Sequence, residues 1–233
     1  MLVARRKDRL HDLAAELDRQ SGVQVEALAA DLSDEVGIEH VAGRIQSMDS
    51  LDILVNNAGY GMSGYFTNID LERHLEMIQV HVIASVRLAH AALTGMIPRR
   101  KGSIINVSSV AAFLPWGNVT YNATKAYLVA FSEALNAESR SRNIRVQVLC
   151  PGFTVSEFHD SPDLLRIRKS PLPKMFWLTS DFVVAESLKA LAKGKVICIP
   201  GMHYRLVVAL GRSPITSPLL RAFVLRIRQR SSA

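Results

Sequence analysis

Apolar and polar positions fall into two kinds of block along the chain. Leu2-Val3-Ala4, "LDILVNNAG" (51–59), "GSIINVSS" (102–109), "IRVQVLCPG" (144–152) and "KVICIPG" (195–201) are short runs, apolar on both faces, as in strands covered on both sides. "VQVEALAADL" (23–32) reads as a further strand that turns at Asp31. The intervening stretches carry one apolar stripe at helical spacing. Leu10, Leu13, Ala14 and Leu17 predict a helix over 8–20, stopped by Ser21-Gly22. Further helices are predicted over 34–47, over 69–98 with a stop at Pro98 and Arg99-Arg100, and over 121–141. This alternation predicts an α/β fold over residues 1–200, a doubly wound, Rossmann-like parallel sheet. Residues 155–176 are the longest irregular stretch, and 201–233 read as a C-terminal extension.

Open parallel sheets bind ligands beyond the carboxyl ends of their strands. Those ends here read Arg5-Arg6, Asp31-Leu32, Asn57-Ala58-Gly59, Ser108-Ser109 and Pro151-Gly152. Every one is polar, small or turn-forming, which predicts a ligand crevice along that edge.

The chain has 233 residues, 48% of them hydrophobic, enough for one packed domain and short for two. Net charge is +7, but Gly201 to Ala233 holds six Arg and no Lys, Asp or Glu, so the preceding 200 residues carry only +1. Such a body is not a nucleic-acid-binding surface. Cys150 and Cys198 lie in apolar runs and read as buried free thiols, with no metal site. No signal peptide is recognisable, and no apolar run reaches the ~18 residues that span a bilayer. The expectation is a cytoplasmic protein.

Tyr121 and Lys125 lie four residues apart on one predicted helix, and so on one helical face. A free phenol has a pKa near ~10, and a neighbouring ammonium lowers it towards usefulness as an acid–base group. A Ser at an adjacent strand end could hydrogen-bond a carbonyl oxygen. Such a trio suits proton transfer at oxygen while a hydride moves at carbon. Tyr-x-x-x-Lys alone, however, often arises by chance.

"NNAG" (56–59), "GSIINVSS", "YNATK" (121–125) and "PGFTVSEF" (151–158) arrive together in an order and spacing that resemble the short-chain dehydrogenase/reductase family, in its classical NADP-preferring branch. The resemblance runs from Met1 to about Gly201. It implies that Tyr121 is the catalytic acid/base and that Lys125 lowers its pKa and binds the nicotinamide ribose. Asn57, Ala58 and Gly59 would line the adenosine and ribose side. Asp31 and Leu32 would flank the adenine. Pro151, Gly152, Thr154 and Ser156 would hold the carboxamide. Ser108 fits the family's usual interval before Tyr121. Counting from Gly102 places the catalytic serine at Ser109, and strand register favours Ser109. The family's usual Asn on the long helix is replaced by His81, which either serves a proton relay or is a bystander.

In this resemblance Met1 to Ala4 is the second strand. The expectation is an N-terminally truncated domain, lacking the first strand and its Gly-rich phosphate-binding turn. A longer parent enzyme, a natural short form that binds cofactor poorly, and an active enzyme with another phosphate site all remain open. Arg5 and Arg6 stand where a 2′-phosphate would be met, which implies NADP(H). Phe153, Phe158 and Met175-Phe176-Trp177 form one apolar wall, and Phe113, Pro115 and Trp116 another. They suit an apolar carbonyl or secondary alcohol as the small-molecule substrate. The family pairs into homo-oligomers through the helices at 69–98 and 121–141. "SPLLRAFVLRIRQR" is a basic amphipathic helix, suited to intramolecular or subunit docking or to peripheral membrane contact. The rival reading of the whole is a non-catalytic interaction or membrane-surface protein on a reductase scaffold.

Overall fold

The structure is a computed structural model, and it describes residues 1–114, 117–165, 173–213 and 216. Pro115, Trp116 and the predicted amphipathic helix beyond 216 lie outside the described residues. Parallel strands alternate with helices, as the sequence pattern requires. In chain order the elements are β1 (Leu2–Ala4), α1 (Lys7–Ser21), β2 (Ala27–Ala29), α2 (Glu35–Gln46), β3 (Ile53–Asn56), α3 (Leu71–Ile78), α4 (Ala84–Arg99), β4 (Gly102–Val107), α5 (Val119–Ser139), β5 (Ile144–Leu149), β6 (Thr154–Val155), β7 (Leu178–Thr179), α6 (Ser180–Ala192), β8 (Ile197–Cys198) and α7 (Met202–Arg212).

The sheet is not one continuous ladder. β3, β4, β5 and β8 form a four-stranded parallel sheet in that order, while β1 and β2 pair separately, with Val3 opposite Leu28. Between the two lies a cleft of about 1190 Å³ bounded by Arg5, Val55, Ile105, Leu149, Val184 and Leu188. Ile53 and Val55 of β3 are consequently 44% and 52% exposed, unusual for apolar strand residues.

Two cores sandwich the four-stranded sheet. Val41 and Ile45 of α2, and Leu88, Ala92 and Met96 of α4, pack with Ile104, Ile144 and Val146 on one face. Val183 and Leu191 of α6, together with Tyr204, pack with Ile105 and Leu149 on the other. Each large side chain so buried contributes roughly 1.5–3 kcal/mol. Both cysteines are buried free thiols.

The long helix ends at Arg99, with Arg100 in the left-handed region at φ 50°, within the stop expected over Pro98 and Arg99-Arg100. Leu71–Arg99 as a whole is long and apolar enough to cross a membrane by length and composition, although Arg87 interrupts its apolar run. Met77, Leu88 and Met96 place it inside this core. Past residue 200, α7 buries Tyr204 and Val208 against the body.

α3 and α4 are joined without a break by Gln79–Ile83, one turn of π-helix in which the Ala84 N–H reaches back to the Gln79 carbonyl. Such turns concentrate at functional sites. This one carries His81.

Candidate active site

Tyr121 enters the site from the first turn of α5. The Asn118 side chain caps that helix by accepting the Tyr121 N–H at 3.0 Å, which fixes where the phenol begins its reach. Lys125 follows one turn later. Its Nζ donates to the Val107 carbonyl at 2.9 Å and lies 5.7 Å from the centre of the Tyr121 ring. Ser109, just past β4, faces the same space. Its hydroxyl accepts the Ala111 N–H at 3.1 Å and faces the Pro151 carbonyl at 3.5 Å, and its nearness lowers the Tyr121 pKa against the larger effect of burial.

Ser108 points elsewhere. It is buried, and its hydroxyl donates to the Lys125 carbonyl at 2.7 Å. One residue of strand register turns a side chain to the opposite face, so Ser109 and not Ser108 addresses the phenol.

Burial sets the electrostatics. It pushes the Tyr121 phenol up to about 12, opposed by the nearness of Ser109. It pulls the Lys125 amine down to about 8. The lowering of the Tyr121 pKa expected from Lys125 is therefore not what this geometry gives: the amine is spent on a carbonyl and lies beside the ring, and desolvation of the phenolate dominates.

Ser109, Tyr121 and Lys125 line a pocket of about 150 Å³, together with Asn57, Gly59, Pro151, Gly152 and Ser156. Asn57, Gly59, Pro151 and Ser156 also line the larger cleft, whose rim holds Arg5 and Arg6. Most of the sequence-assigned residues thus share one connected space. The exceptions are instructive. Ala58 is exposed, Leu32 packs against the core, and the Thr154 hydroxyl donates to the Gly152 carbonyl at 3.1 Å. Asp31 accepts from Ser33 and lies 3.6 Å from Arg5. Arg6 donates to Glu157 at 3.0 Å, and Arg9 grips the same carboxylate. The two arginines hold Glu157 down at about 2. The cations assigned to a 2′-phosphate therefore already have carboxylate partners.

His81 lines neither space. It is fully buried behind Gly59, where an added Cβ would stand 2.8 Å from Nε2 of the imidazole and 3.6 Å from Lys125 Nζ.

Phe158, placed in an apolar wall by the sequence, lines both spaces and has its ring 6.2 Å from that of Tyr121. Sequence reasoning missed Asn118, although an Asn three residues before the tyrosine is a helix-start signal. A buried polar chain went unnoticed too. Asn56 donates to Asn106 at 2.8 Å, and Asn106 donates to Ser132 at 2.9 Å, joining β3, β4 and α5. Polar residues inside two apolar runs were its only signal.

The family model described as short chain dehydrogenase matches residues 1–163. The chain belongs to the short-chain dehydrogenase family. Among its curated relatives, mouse 17-beta-hydroxysteroid dehydrogenase type 3 is 31% identical over 218 residues, covering 92% of this chain and 68% of the relative. Very-long-chain 3-oxoacyl-CoA reductase of Laccaria bicolor is 35% identical over 174 residues, covering 72% of this chain and 49% of the relative. The chain therefore spans about half to two-thirds of the length of these relatives. A solved short-chain dehydrogenase from Sphingobium yanoikuyae, in complex with NADPH, superposes with a TM-score of 0.79 at 34% identity, covering 87% of this chain and 78% of that one. Members of the family are oxidoreductases, and the Sphingobium yanoikuyae neighbour holds a nicotinamide cofactor, NADPH.

Proposed function

We propose that this protein transfers a hydride between NADP(H) and a bulky, apolar carbonyl compound or secondary alcohol. The observation that carries the reading is the convergence of Ser109, Tyr121 and Lys125 on one pocket that opens into a cleft rimmed by Arg5 and Arg6. A nicotinamide dinucleotide fits these residues. The two spaces share lining, Gly59 leaves the wall free of a side chain, and the Arg5 and Arg6 guanidinium groups on the rim would meet phosphate charge once freed from Asp31 and Glu157. Bound there, the cofactor supplies or accepts the hydride. Asp31, Leu32, Asn57, Ala58 and Gly59 would hold its adenosine side, and Pro151, Gly152, Thr154 and Ser156 its carboxamide.

The protein's own groups manage the substrate oxygen. Ser109 Oγ donates a hydrogen bond to it. The Tyr121 hydroxyl, kept protonated by burial, gives that oxygen a proton in the direction of reduction and takes it back in oxidation. Lys125, whose Nζ donates to the Val107 carbonyl, would hold the nicotinamide ribose. Phe153, Phe158, His159 and Trp177 form a contiguous aromatic wall, with ring centres 5.1–5.8 Å apart, beside the pocket. That wall, and relatives named for a steroid and a very-long-chain acyl substrate, support an apolar substrate of some bulk.

NADPH and NADH titrations followed by intrinsic fluorescence, then turnover against a panel of bulky ketones, test the reading. Tighter NADPH binding with ketone reduction supports it. The pairing of Arg5 with Asp31 and Arg6 with Glu157 favours a second reading, a cofactor-poor interaction protein. No binding of either dinucleotide at millimolar concentration would establish that alternative.

A further inference from the structure

His81 replaces the residue type expected at its position, and its surroundings define what it can do. Its Nε2 accepts the backbone N–H of Tyr60 at 3.2 Å. An imidazole nitrogen that accepts carries no proton, so in the neutral ring the proton lies on Nδ1. Nδ1 is 2.9 Å from the Thr124 hydroxyl. That hydroxyl itself donates to the Tyr121 carbonyl at 2.9 Å, so its oxygen is free to accept from Nδ1–H. Every donor and acceptor in the chain Tyr60 N–H, His81, Thr124, Tyr121 C=O thus has one direction, and the ring has no nitrogen left over. His81 also anchors the π turn, because the Ser85 hydroxyl donates to its carbonyl at 2.8 Å.

The groups joined are the ones the site depends on. Tyr60 follows directly on Asn57-Ala58-Gly59, and Thr124 lies between Tyr121 and Lys125. Lys125, with the phenols of Tyr60 and Tyr121, are the titratable groups set against the ring, and Glu76 lies beyond Tyr60. His74, seven residues earlier, makes a related contact: its Nδ1 is 2.7 Å from the Thr120 hydroxyl and its Nε2 faces the Phe66 carbonyl at 3.1 Å. A carbonyl can only accept, so His74 carries its proton on Nε2. The Nε2 atoms of the two histidines thus play opposite parts, donor in His74 and acceptor in His81, each ring set against a threonine of α5.

We propose that His81 is a positioning residue that holds the Gly59–Tyr60 loop and the Tyr121–Lys125 helix in fixed register through a single neutral Nδ1–H tautomer, and that it carries no proton in turnover. Its consequence for catalysis rests on the reductase reading; its tautomer and its bonds do not.

The test separates the two. Nitrogen-15 histidine NMR of the intact chain should show His81 as the Nδ1–H tautomer and unchanged between pH 8 and 5. An Nε2–H ring, or titration of His81 near neutral pH, overturns the proposal. His81→Gln places an acceptor where Nε2 stood, whereas the shorter His81→Asn reaches only the Nδ1 position. The Tyr60 amide should exchange with solvent about tenfold faster in His81→Asn than in wild type, the loss of one hydrogen bond, with protection recovered in His81→Gln. Equal exchange in all three overturns the proposal, and circular dichroism confirms that each variant is folded. In turnover, His81→Asn should lower kcat by a constant factor from pH 6 to 9, and a change in the shape of that profile would assign His81 to a proton relay instead. A wild-type chain inactive on every ketone sinks the reductase reading while the NMR and exchange results still decide the role of His81.

Discussion

Acidification tests the environment of His81 through stability alone. Burial and the nearby Lys125 charge pull its imidazole down to about 2, against an unfolded value of 6.5. The sign follows from which state binds the proton. Below pH 6.5 the unfolded chain takes up a proton at this position and the folded chain does not, so stability is lost as pH falls, down to the folded pKa. At pH 4.5 the interval below the unfolded pKa is two units, worth roughly 3 kcal/mol at 1.36 kcal/mol per unit. That is a large part of the stability of an ordinary domain. His81→Asn removes the titrating group and leaves the others in place. Urea unfolding of both proteins at pH 7.0, 6.0, 5.0 and 4.5 isolates the effect, because the remaining titrations are common to both and cancel in the difference. Wild type should lose about 3 kcal/mol more than His81→Asn between pH 7.0 and 4.5. Parallel loss in the two proteins would show that the folded ring takes up a proton as easily as the unfolded one, and the account of its enclosure would be wrong.

Three other perturbations read other parts of the structure. A methyl group at Gly152 would overlap the ring of Tyr204, whose hydroxyl accepts from Phe153 N–H and donates to the Phe176 carbonyl. Gly152→Ala should cost about 1–3 kcal/mol in chemical denaturation, and a stability equal to wild type would contradict that packing. Glu157→Gln releases Arg6 and Arg9 from their shared carboxylate. It should tighten NADPH more than NADH in parallel titrations, and an equal change for both would remove Arg6 from 2′-phosphate recognition. With Lys125 pulled down to about 8, the ammonium persists below that pH and is lost above it. Turnover that depends on the ammonium should fall as pH rises through about 8, and a profile flat to pH 10 would deny the lysine that part.

Much of this was legible along the chain because it is local. Tyr121 and Lys125 are one helical turn apart, so periodicity alone put them on one face, and both serines just past β4 line the same pocket, the Ser108 hydroxyl turning back to the Lys125 carbonyl. Apolar runs marked the strands of the main sheet. What stayed hidden depends on distant parts of the chain. Glu157 reaches Arg6 across 151 residues, so the arginines read as free cations. The direction of the Tyr121 shift is decided by burial, which neither spacing nor residue type reports. α6 presents Val183, Ser187 and Leu191 to the core, and the serine in the middle interrupts the apolar stripe that would have announced the helix. Ser187 is there because Gln147, buried in β5, needs its hydroxyl at 2.6 Å. The docking of α7 was hidden for a similar reason: Tyr204 is held by Phe153 and Phe176, far away in sequence.

The account stands most directly on Tyr121. Single-turnover reduction of a bulky ketone by Tyr121→Phe, with NADPH affinity measured on the same preparation, isolates the phenol hydroxyl from the rest of the pocket. The prediction is a rate loss of at least about 10²-fold with NADPH binding essentially unchanged. Turnover at the wild-type rate would contradict the central claim, that this hydroxyl moves the proton at the substrate oxygen.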